Sequence, residues 1–378
     1  MALKRIKLGR LIEKSELKNN DEIYDDTCVR GISINKCFAP TKADAENIDL
    51  KCFKVVKPNY FAFNTATSRN GEKISIAFND SNETIIVSSL YDVFCLSNYG
   101  KQVLDERYLY IFFNRSEFDR YSRTDSWGSA REYFRFGNMC DVEIELPDLE
   151  TQRKFVAVYL SMIDNQKSYE KGLDDLKLTC DGYIENLKKK YRCERIGPFI
   201  KDVTEKNENE KYRSNFIKGI SIKKEFADTK ADITDLSPKG YNIVRPNQFA
   251  FNPNTARMGE KICVALNQTN DVILVSSIYP VFEVIDTDKL DPRYLMMFFQ
   301  RSEFDRYVRF NSWGSARETF NYSDFEEVEV PIPPISIQRS IADIYDCYLE
   351  RKSINEMLKN QIKDICPILI KGSIEEAR

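Results

Sequence analysis

The sequence contains no histidine, and no run of about 18 apolar residues interrupts its polar composition. Without imidazole, the chain lacks the side chain most often used for acid–base catalysis near neutral pH and the commonest metal ligand. Without a long apolar run it has no candidate transmembrane helix, and residues 1–10 have no hydrophobic signal core. We therefore expect a soluble globular protein that stays in the cytoplasm.

Motifs of common enzyme classes are also missing. There is no GxxxxGK[ST], GxGxxG or GxSxG. Asn252-Pro-Asn-Thr255 comes nearest to the Asn-Pro-Pro-aromatic motif of methyltransferases, but it lacks the second proline and the aromatic residue that would stack on a flipped base. The matching Asn64-Thr-Ala-Thr67 has no proline. The sequence thus predicts a non-catalytic protein with no cofactor and no metal of its own.

Cysteine is present ten times but without any CxxC spacing, and with no histidine to complete a zinc site we expect reduced thiols. The net charge of −3 does not exclude nucleic acid as a partner, because basic side chains can gather on one face of a protein that is nearly neutral overall.

The most informative feature is an internal duplication. RSEFDRYSRTDSWGSAR at 115–131 recurs as RSEFDRYVRFNSWGSAR at 301–317, with 14 of 17 positions identical and one of the chain's two tryptophans in each copy. Further matches at an offset of 188 include Gly31–Lys36 with Gly219–Lys224 and Lys57–Asn64 with Arg245–Asn252. The offset is 186 from Arg115/Arg301 onward, which indicates a two-residue deletion in the second copy after Tyr279. Repeats of this length are tandem domains, not solenoid units.

Within each copy, the pattern predicts a mixed α/β fold. Strands are predicted from β-branched apolar runs and helices from 3.6-residue spacing. The predicted strands are Ile74–Phe78, Ile85–Val87 and Val142–Leu146, with Ile262–Leu266, Val272–Val275 and Val328–Ile332 in the second copy, and the predicted helices are Asp105–Asn114 and Asp291–Gln300.

A long helical period follows each copy. It begins after Pro147 and again after Pro334, and Pro367 is expected to stop the second helix. About 40 residues at 1.5 Å each give a helix of roughly 60 Å. Narrow apolar stripes favour an antiparallel coiled coil that relates the two similar globules by a pseudo-two-fold axis. The predicted domains are residues 1–148, the helix 149–191, residues 192–334, and residues 335–378 as second helix and tail.

Two polar loops are candidate DNA contacts, because Asn and Arg pair with base edges while Thr, Ser and Lys suit phosphates. They are FNTATSRNGEK at 63–73 and FNPNTARMGEK at 251–261, whose ends agree and whose middles differ. The alternative is a polar surface turn, since sequence drift on such a loop would look similar. The candidate contacts here are Asn64, Thr65, Thr67, Ser68, Arg69, Asn70, Lys73, Asn252, Asn254, Thr255, Arg257 and Lys261.

We expect one part of the repeated Arg/Trp segment to stabilise the fold and another part to contact DNA. Phe118, Tyr121 and Trp127 are expected to pack in the core, with some arginines in salt bridges. The Gly-Ser-Ala-Arg turn is expected to contact phosphates or bases through Ser129, Arg131, Ser315 and Arg317. Because the segment is nearly identical in both copies, we assign the recognition of particular DNA bases to the loops whose residues differ.

In the order of its motifs, the chain resembles the specificity subunit of Type I restriction–modification systems. The motifs are xPNxFAFN…GEKI, VSSxYxVF at Val87–Phe94 and Val275–Phe282, YLxxFF, SxGSxR, and a proline-led Gln-Arg entry into each long helix at Gln152 and Gln338. The Pro333-Pro-Ile-Ser-Ile-Gln-Arg-Ser-Ile-Ala-Asp343 stretch is the most specific, whereas the first copy has Pro147-Asp148-Leu149 in place of Pro-Pro.

The resemblance implies two target-recognition domains that each read half of a bipartite double-stranded DNA site. It also implies two methyltransferase subunits docked on the helices and, as an optional partner, a restriction/translocase subunit. S-adenosylmethionine and Mg/ATP are implied for those partners only. The similarity of the copies predicts half-sites that are nearly inverted repeats, because protein symmetry is mirrored in DNA sites. Heads about 60 Å apart would span fewer than two duplex turns of ~34–36 Å.

Two other functions stay open from the sequence. One is a duplicated protein-binding adaptor or inhibitor, and the other is the recognition fragment of a single-chain restriction–methylation enzyme. Met1 directly before the first copy and the full second helix favour a free-standing subunit. Charge reversal at Arg131 and Arg317 separates a DNA reader, which would lose DNA binding, from an adaptor, which would not.

Overall fold

The computed structural model describes residues 3, 5–33, 35–41, 49–67, 73–126, 132–229, 236–255, 261–314 and 318–378. The chain divides into two units by its internal contacts. The first unit consists of residues 1–168 and 354–378, and the second consists of residues 169–353. Each unit contains one copy of the repeat and a segment of each long helix, and each is a mixed α/β structure, as predicted.

The first copy consists of ten short strands and four short helices in its described part. Its strands are β1 (Arg5–Lys7), β2 (Ile12–Ser15), β3 (Arg30–Ile32), β4 (Phe38–Pro40), β5 (Lys54–Val56), β6 (Phe61–Asn64), β7 (Ile76–Phe78), β8 (Ile85–Val87), β9 (Tyr91–Leu96) and β10 (Glu143–Glu145). Its helices are α1 (Gly100–Val103), α2 (Glu106–Phe113), α3 (Ser116–Thr124) and α4 (Phe136–Asp141), followed by the long helix α5 (Leu149–Lys190).

The second copy repeats the order of these elements. Its strands are β11 (Cys193–Arg195), β12 (Ile200–Val203), β13 (Lys218–Ile220), β14 (Phe226–Asp228), β15 (Asn242–Val244), β16 (Gln248–Phe251), β17 (Val264–Leu266), β18 (Ile273–Val275), β19 (Val281–Val284) and β20 (Glu329–Pro331). Its helices are α6 (Pro292–Phe299), α7 (Ser302–Phe310) and α8 (Tyr322–Glu326), and the long helix α9 (Ile335–Glu376) follows.

A four-stranded antiparallel sheet forms the centre of each copy, in the order β2-β9-β6-β7 and β12-β19-β16-β17. The side chains that it buries are mainly phenylalanines. Phe61 stacks on Phe94 with ring centroids 5.0 Å apart, and Phe249 stacks on Phe282 at 4.7 Å. These rings belong to the repeated FAFN and VF motifs, so the duplicated motifs encode the same aromatic core twice.

The predicted short helices are present, and the residues that bound them cap them. Asp105 accepts hydrogen bonds from the N–H groups of Arg107 and Tyr108 at the start of α2, and Asp291 accepts one from Arg293 at the start of α6. The strand predicted from Ile74 begins later, at Ile76, because the N–H of Ile74 donates to the carboxylate of Asp119 instead of joining the sheet.

The length difference between the copies lies after β9 and β19. Leu96 pairs with Ile12 and Val284 pairs with Ile200, so both strands still follow the offset of 188. The two residues missing from the second copy therefore lie in the connection from β19 to α6, which corresponds to the connection from β9 to α2. The structure thus places the deletion within a shorter stretch than the sequence did, which placed it after Tyr279. In the first copy this connection holds α1.

Gly100 at the start of α1 provides a stability prediction. A Cβ added here would lie 2.0 Å from the carbonyl oxygen of Leu11, which belongs to the backbone. We expect Gly100→Ala to destabilise the first unit by about 1–3 kcal/mol, the usual cost of overpacking. Urea unfolding would measure the loss. Gly137→Ala is the matched control, because no atom lies within 4 Å of its added Cβ, and a loss of equal size there would contradict the argument.

The long helices have the predicted length, with 42 residues in α5 and 42 in α9. The prediction that Pro367 ends the second helix was wrong, because α9 continues through it to Glu376. A proline inside a helix costs about 3 kcal/mol or more. Packing after the proline offsets this cost: Leu369 and Ile370 are buried in the core of the first unit, and the hydroxyls of Tyr108 and Ser373 are 2.7 Å apart.

The helix segments run antiparallel within each unit. In the first unit Lys154 pairs with Glu376 at 2.6 Å, and Gln166 donates to Asn355 at 3.0 Å. Since both amides are buried, this hydrogen bond opposes sliding of one helix along the other. In the second unit, Ile184 of α5 and Ile341 of α9 share one apolar core.

The repeated glutamine at each helix entry joins the helix to its globule. Gln152 accepts from the N–H of Asp105 at 2.9 Å and donates to Val103 and Pro147, both at 2.8 Å. Gln338 makes the same three hydrogen bonds, accepting from Asp291 and donating to Lys289 and Pro333. The Gln of the Gln-Arg motif is therefore a structural residue.

Candidate nucleic-acid interface

Each candidate loop begins where a central strand ends. Asn64 is the last residue of β6, and Asn252 follows β16 directly. Each asparagine side chain turns the chain locally: Asn64 Oδ1 accepts from the N–H of Ala66 and Asn252 Oδ1 from that of Asn254, both at 3.0 Å. The shared asparagine thus has a structural role at the start of both loops.

The repeated threonines lie three residues further on and are buried. Thr67 donates its N–H and its hydroxyl to the carbonyl of Glu132, at 3.0 and 3.2 Å. Thr255 does the same to Glu318, both at 3.1 Å. These hydroxyls hold the loop in place, and DNA contact by them stays a prediction that the geometry does not support.

These hydrogen bonds bring together the two predicted contact segments, although they are far apart in the sequence. Glu132 directly follows the first Gly-Ser-Ala-Arg turn, and Glu318 directly follows the second. Phe134 also donates to the carbonyl of Thr65 at 2.8 Å, and Phe320 to that of Pro253 at 2.9 Å. In each copy, the start of the polar loop is therefore paired through its backbone with the residues that directly follow the Gly-Ser-Ala-Arg turn in the sequence.

The other end of each loop is fixed by an aspartate of the Arg/Trp segment. The N–H of Ile74 donates to Asp119 at 3.2 Å, and the N–H of Ile262 donates to Asp305 at the same distance. Both aspartates are buried on the short helices α3 and α7. The repeated segment thus supports the varying loop, in agreement with the framework role predicted for it.

A buried lysine completes this support in each copy. Lys36 lies 2.7 Å from Asp119 and donates to the carbonyl of Phe113 at 2.6 Å. Lys224 lies 2.8 Å from Asp305 and donates to Phe299 at 2.5 Å. Burial lowers the pKa of both lysines, and the attraction of the aspartate opposes that shift.

The sequence patterns did not single out these lysines. The signal was present, because Lys36 and Lys224 recur at the offset of 188 in an otherwise polar turn. Both also have a positive φ, 60° and 62°, which few residues other than glycine adopt. A repeated lysine in a tight turn is more consistent with a fixed buried contact than with a solvated side chain.

The described arginines of the Arg/Trp segment are mostly paired within the protein. Arg123 pairs with Glu132 at 2.6 Å, and Arg309 pairs with Glu318. Arg301 is 4% exposed and pairs with Asp181 and Glu185 of α5. Arg115 stacks on Phe112, and burial lowers its pKa. The predicted scaffold role of these arginines is thereby confirmed.

The aromatic residues of the segment differ from expectation. Phe118 is buried, as predicted, but Tyr121 is 39% exposed. The prediction for Tyr121 was wrong because its ring lies at the rim of the core, in edge contact with Phe134 alone among the described rings. Trp127 lies outside the described residues, and its counterpart Trp313 is 72% exposed.

Several candidate contacts lie outside the described residues, and their DNA contact stays a prediction: Ser68, Arg69, Asn70, Ser129, Arg131, Arg257, Ser315 and Arg317. Among the described candidates, Lys73 and Lys261 are exposed at the ends of the loops, while Thr65 and Asn254 are half-buried. The oxygen Oδ1 of Asn254 is buried with no hydrogen-bond partner in the described part of the chain.

The described ranges offer no other obvious chemistry. They hold no group of three or more side chains able to ligate a metal, and no helix within them is both long and apolar enough to cross a membrane. All ten cysteines are free.

Two repeated α/β globules, each carrying antiparallel segments of two long helices, define the fold of type I restriction–modification specificity subunits. The fold matches the S subunit of the type I restriction–modification system of M. genitalium with a TM-score of 0.57 and 10% identity, over 99% of this chain and 96% of that one. A chain from a type I R-M system, solved in connection with complex assembly and conformational transition, matches with a TM-score of 0.50 and 14% identity, over 99% and 97%.

The sequence supports the same assignment. Residues 198–364 match the family model of the type I restriction modification DNA specificity domain. No curated protein sequence has significant similarity to the chain. The first copy, which lies outside the matched residues, repeats the motifs of the matched second copy.

Proposed function

We propose that the chain is the DNA specificity subunit of a type I restriction–modification complex, with each globule reading one half of a bipartite site. The observation that carries this proposal is the common frame of the two candidate loops. Near its start, each loop is hydrogen-bonded to the glutamate that follows the Gly-Ser-Ala-Arg turn, and at its end to a buried aspartate, while its middle residues differ between copies. A fixed frame with a variable loop suits two readers of different base pairs.

The partners follow from the family and from the helices. Methyltransferase subunits would dock on α5 and α9 and supply S-adenosylmethionine and adenine methylation, and a restriction/translocase subunit with Mg/ATP would be a further partner. The chain itself would recognise DNA and carry out no chemistry. An adaptor or inhibitor that binds only proteins is less favoured, since the family model describes a DNA specificity domain.

Copurification with candidate methyltransferase subunits, followed by mapping of the methylated motif, tests this function. We expect methylation at a two-part motif with an unspecific spacer. The similarity of the two copies further predicts half-sites close to inverted repeats. Unrelated half-sites would contradict the symmetry argument, while the absence of any sequence-dependent methylation or binding would contradict the specificity function.

A further inference from the structure

A basic cleft lies beside the second candidate loop, within the second unit. Its volume is about 270 Å³. Six cationic side chains line it against two carboxylates. The cations are Lys177, Lys223, Lys224, Lys261, Arg301 and Lys352, and the carboxylates are Asp181 and Asp305.

Half of these cations are already neutralised by the protein. Lys224 pairs with Asp305 at 2.8 Å, Arg301 with Asp181 at 3.5 Å, and Lys352 with Glu225 at 3.3 Å. The remaining three, Lys177, Lys223 and Lys261, are exposed. None of the three forms an ion pair with another residue in the described ranges. We call these three side chains the lysine triad.

The lysine triad comes from three different elements. Lys177 lies on α5, Lys223 lies in the turn between β13 and β14, and Lys261 is the last residue of the candidate loop. Burial is the main cause of the lowered pKa of Lys224, and the positive charge of the neighbouring Lys261 lowers it further. Three ammonium groups around one cleft repel one another, and an anion between them would relieve that repulsion.

The first unit has two of the three lysines at equivalent positions. Lys73 corresponds to Lys261, and Lys363 on α9 corresponds to Lys177 at the offset of 186. Asn35 stands in place of Lys223, and Lys363 donates to its Oδ1 at 3.2 Å. In the first unit, Lys363 therefore lies beside the hairpin turn that corresponds to the turn of Lys223. This hydrogen bond is a separate observation of the same arrangement.

We propose that Lys177 and Lys363 bind backbone phosphates of the DNA, so that both long helices form part of the DNA-binding surface beside their recognition loops. This inference rests on the proposed function. DNA is the favoured occupant because the cleft is continuous with the candidate loop through Lys261, and because lysine binds phosphate as a point charge. Such contacts hold the duplex in register and read no bases.

The test uses the full chain with its methyltransferase subunits and the variants Lys177→Ala, Lys363→Ala and both together. DNA affinity is measured as a function of salt on the cognate duplex and on a duplex with a scrambled motif. Each lost phosphate contact should reduce the slope of log K against log salt by about 0.9, and the double variant should lose about twice that. Affinity should fall by the same factor on both duplexes, leaving their ratio unchanged.

Lys171→Ala is the matched control, because Lys171 is an exposed lysine of the same helix that does not line the cleft. Its slope should equal that of the unmodified chain. A wild-type slope in the double variant would overturn the proposal. So would weaker binding of the methyltransferase subunits with an unchanged salt slope, since the cleft would then dock protein. If the unmodified complex does not distinguish the two duplexes, the proposed function itself fails.

Discussion

A chain in which residues 252–261 are replaced by the ten residues of 64–73 should read its first half-site twice. The two loops have equal length and share their first asparagine, their arginine and their Gly-Glu-Lys ending. They differ at four positions: Thr65/Pro253, Ala66/Asn254, Ser68/Ala256 and Asn70/Met258. If these four positions determine which bases are recognised, exchanging the residues there should exchange the recognised half-site.

The graft should fold because both loops start and end on the same supports. At the start, Thr67 and Thr255 donate to Glu132 and Glu318 at distances that differ by no more than 0.1 Å, 3.2 against 3.1 Å for the hydroxyl and 3.0 against 3.1 Å for the N–H. At the end, the N–H of residue 74 or 262 meets its aspartate at 3.2 Å in both copies. The grafted loop can therefore form, in the second copy, the same hydrogen bonds at both ends that it forms in the first copy.

Mapping the methylated motif of the grafted complex measures the result. We expect the second half-site to change into the inverted copy of the first, with the spacer unchanged. The control exchanges Ser302–Phe310 for Ser116–Thr124, which differ only at Ser122/Val308 and Thr124/Phe310. Ser122 and Val308 are both buried, so this exchange should leave the motif unchanged. If the methylated motif changes when the helix is exchanged but not when the loop is exchanged, the assignment of base recognition to the loop is refuted.

Sequence patterns predicted the parts of this fold that depend on local periodicity. The 3.6-residue spacing located α2, α6 and both long helices, because the amphipathicity of a helix is a local property of the sequence. Pro367 was misjudged for the same reason, since the local penalty is visible in the sequence whereas the packing of Leu369 and Ile370 on the first unit is not.

The candidate site was predicted less completely because its parts are distant along the chain. The loops and the Gly-Ser-Ala-Arg turns were found as separate polar segments, and it is the hydrogen bonds from Thr67 to Glu132 and from Phe134 to Thr65 that show the loop to be paired with the residues directly after the turn. No spacing rule predicts that Lys36 meets Asp119, which is 83 residues away. The duplication marks both residues as repeated, but it does not show that they are partners.

Removing the buried lysine of either copy should strongly destabilise the unit that contains it. Lys224→Met leaves the carboxylate of Asp305 buried without its counter-ion and the carbonyl of Phe299 without its donor. Breaking one side of a buried ion pair costs about 3–5 kcal/mol. We expect a loss of that size in the second unit, and the same from Lys36→Met in the first, since Lys36 has the equivalent contacts in that unit.

The double variant Lys224→Met/Asp305→Asn separates the effect of the unpaired charge from that of the lost hydrogen bond to Phe299. The asparagine oxygen can still accept the N–H of Ile262, and neither charge of the Lys224–Asp305 pair remains, so we expect most of the lost stability to return. Urea unfolding gives the free energies, and hydrogen exchange at the Ile262 amide reports whether the end of the recognition loop is held. A double variant as unstable as Lys224→Met would show that the lysine acts through its hydrogen bond to the carbonyl of Phe299, which methionine cannot replace. Recovery would show that Lys224→Met loses stability through the unpaired charge of Asp305, and that the hydrogen bond from Ile262 to residue 305 holds the loop against α7 once that charge is removed.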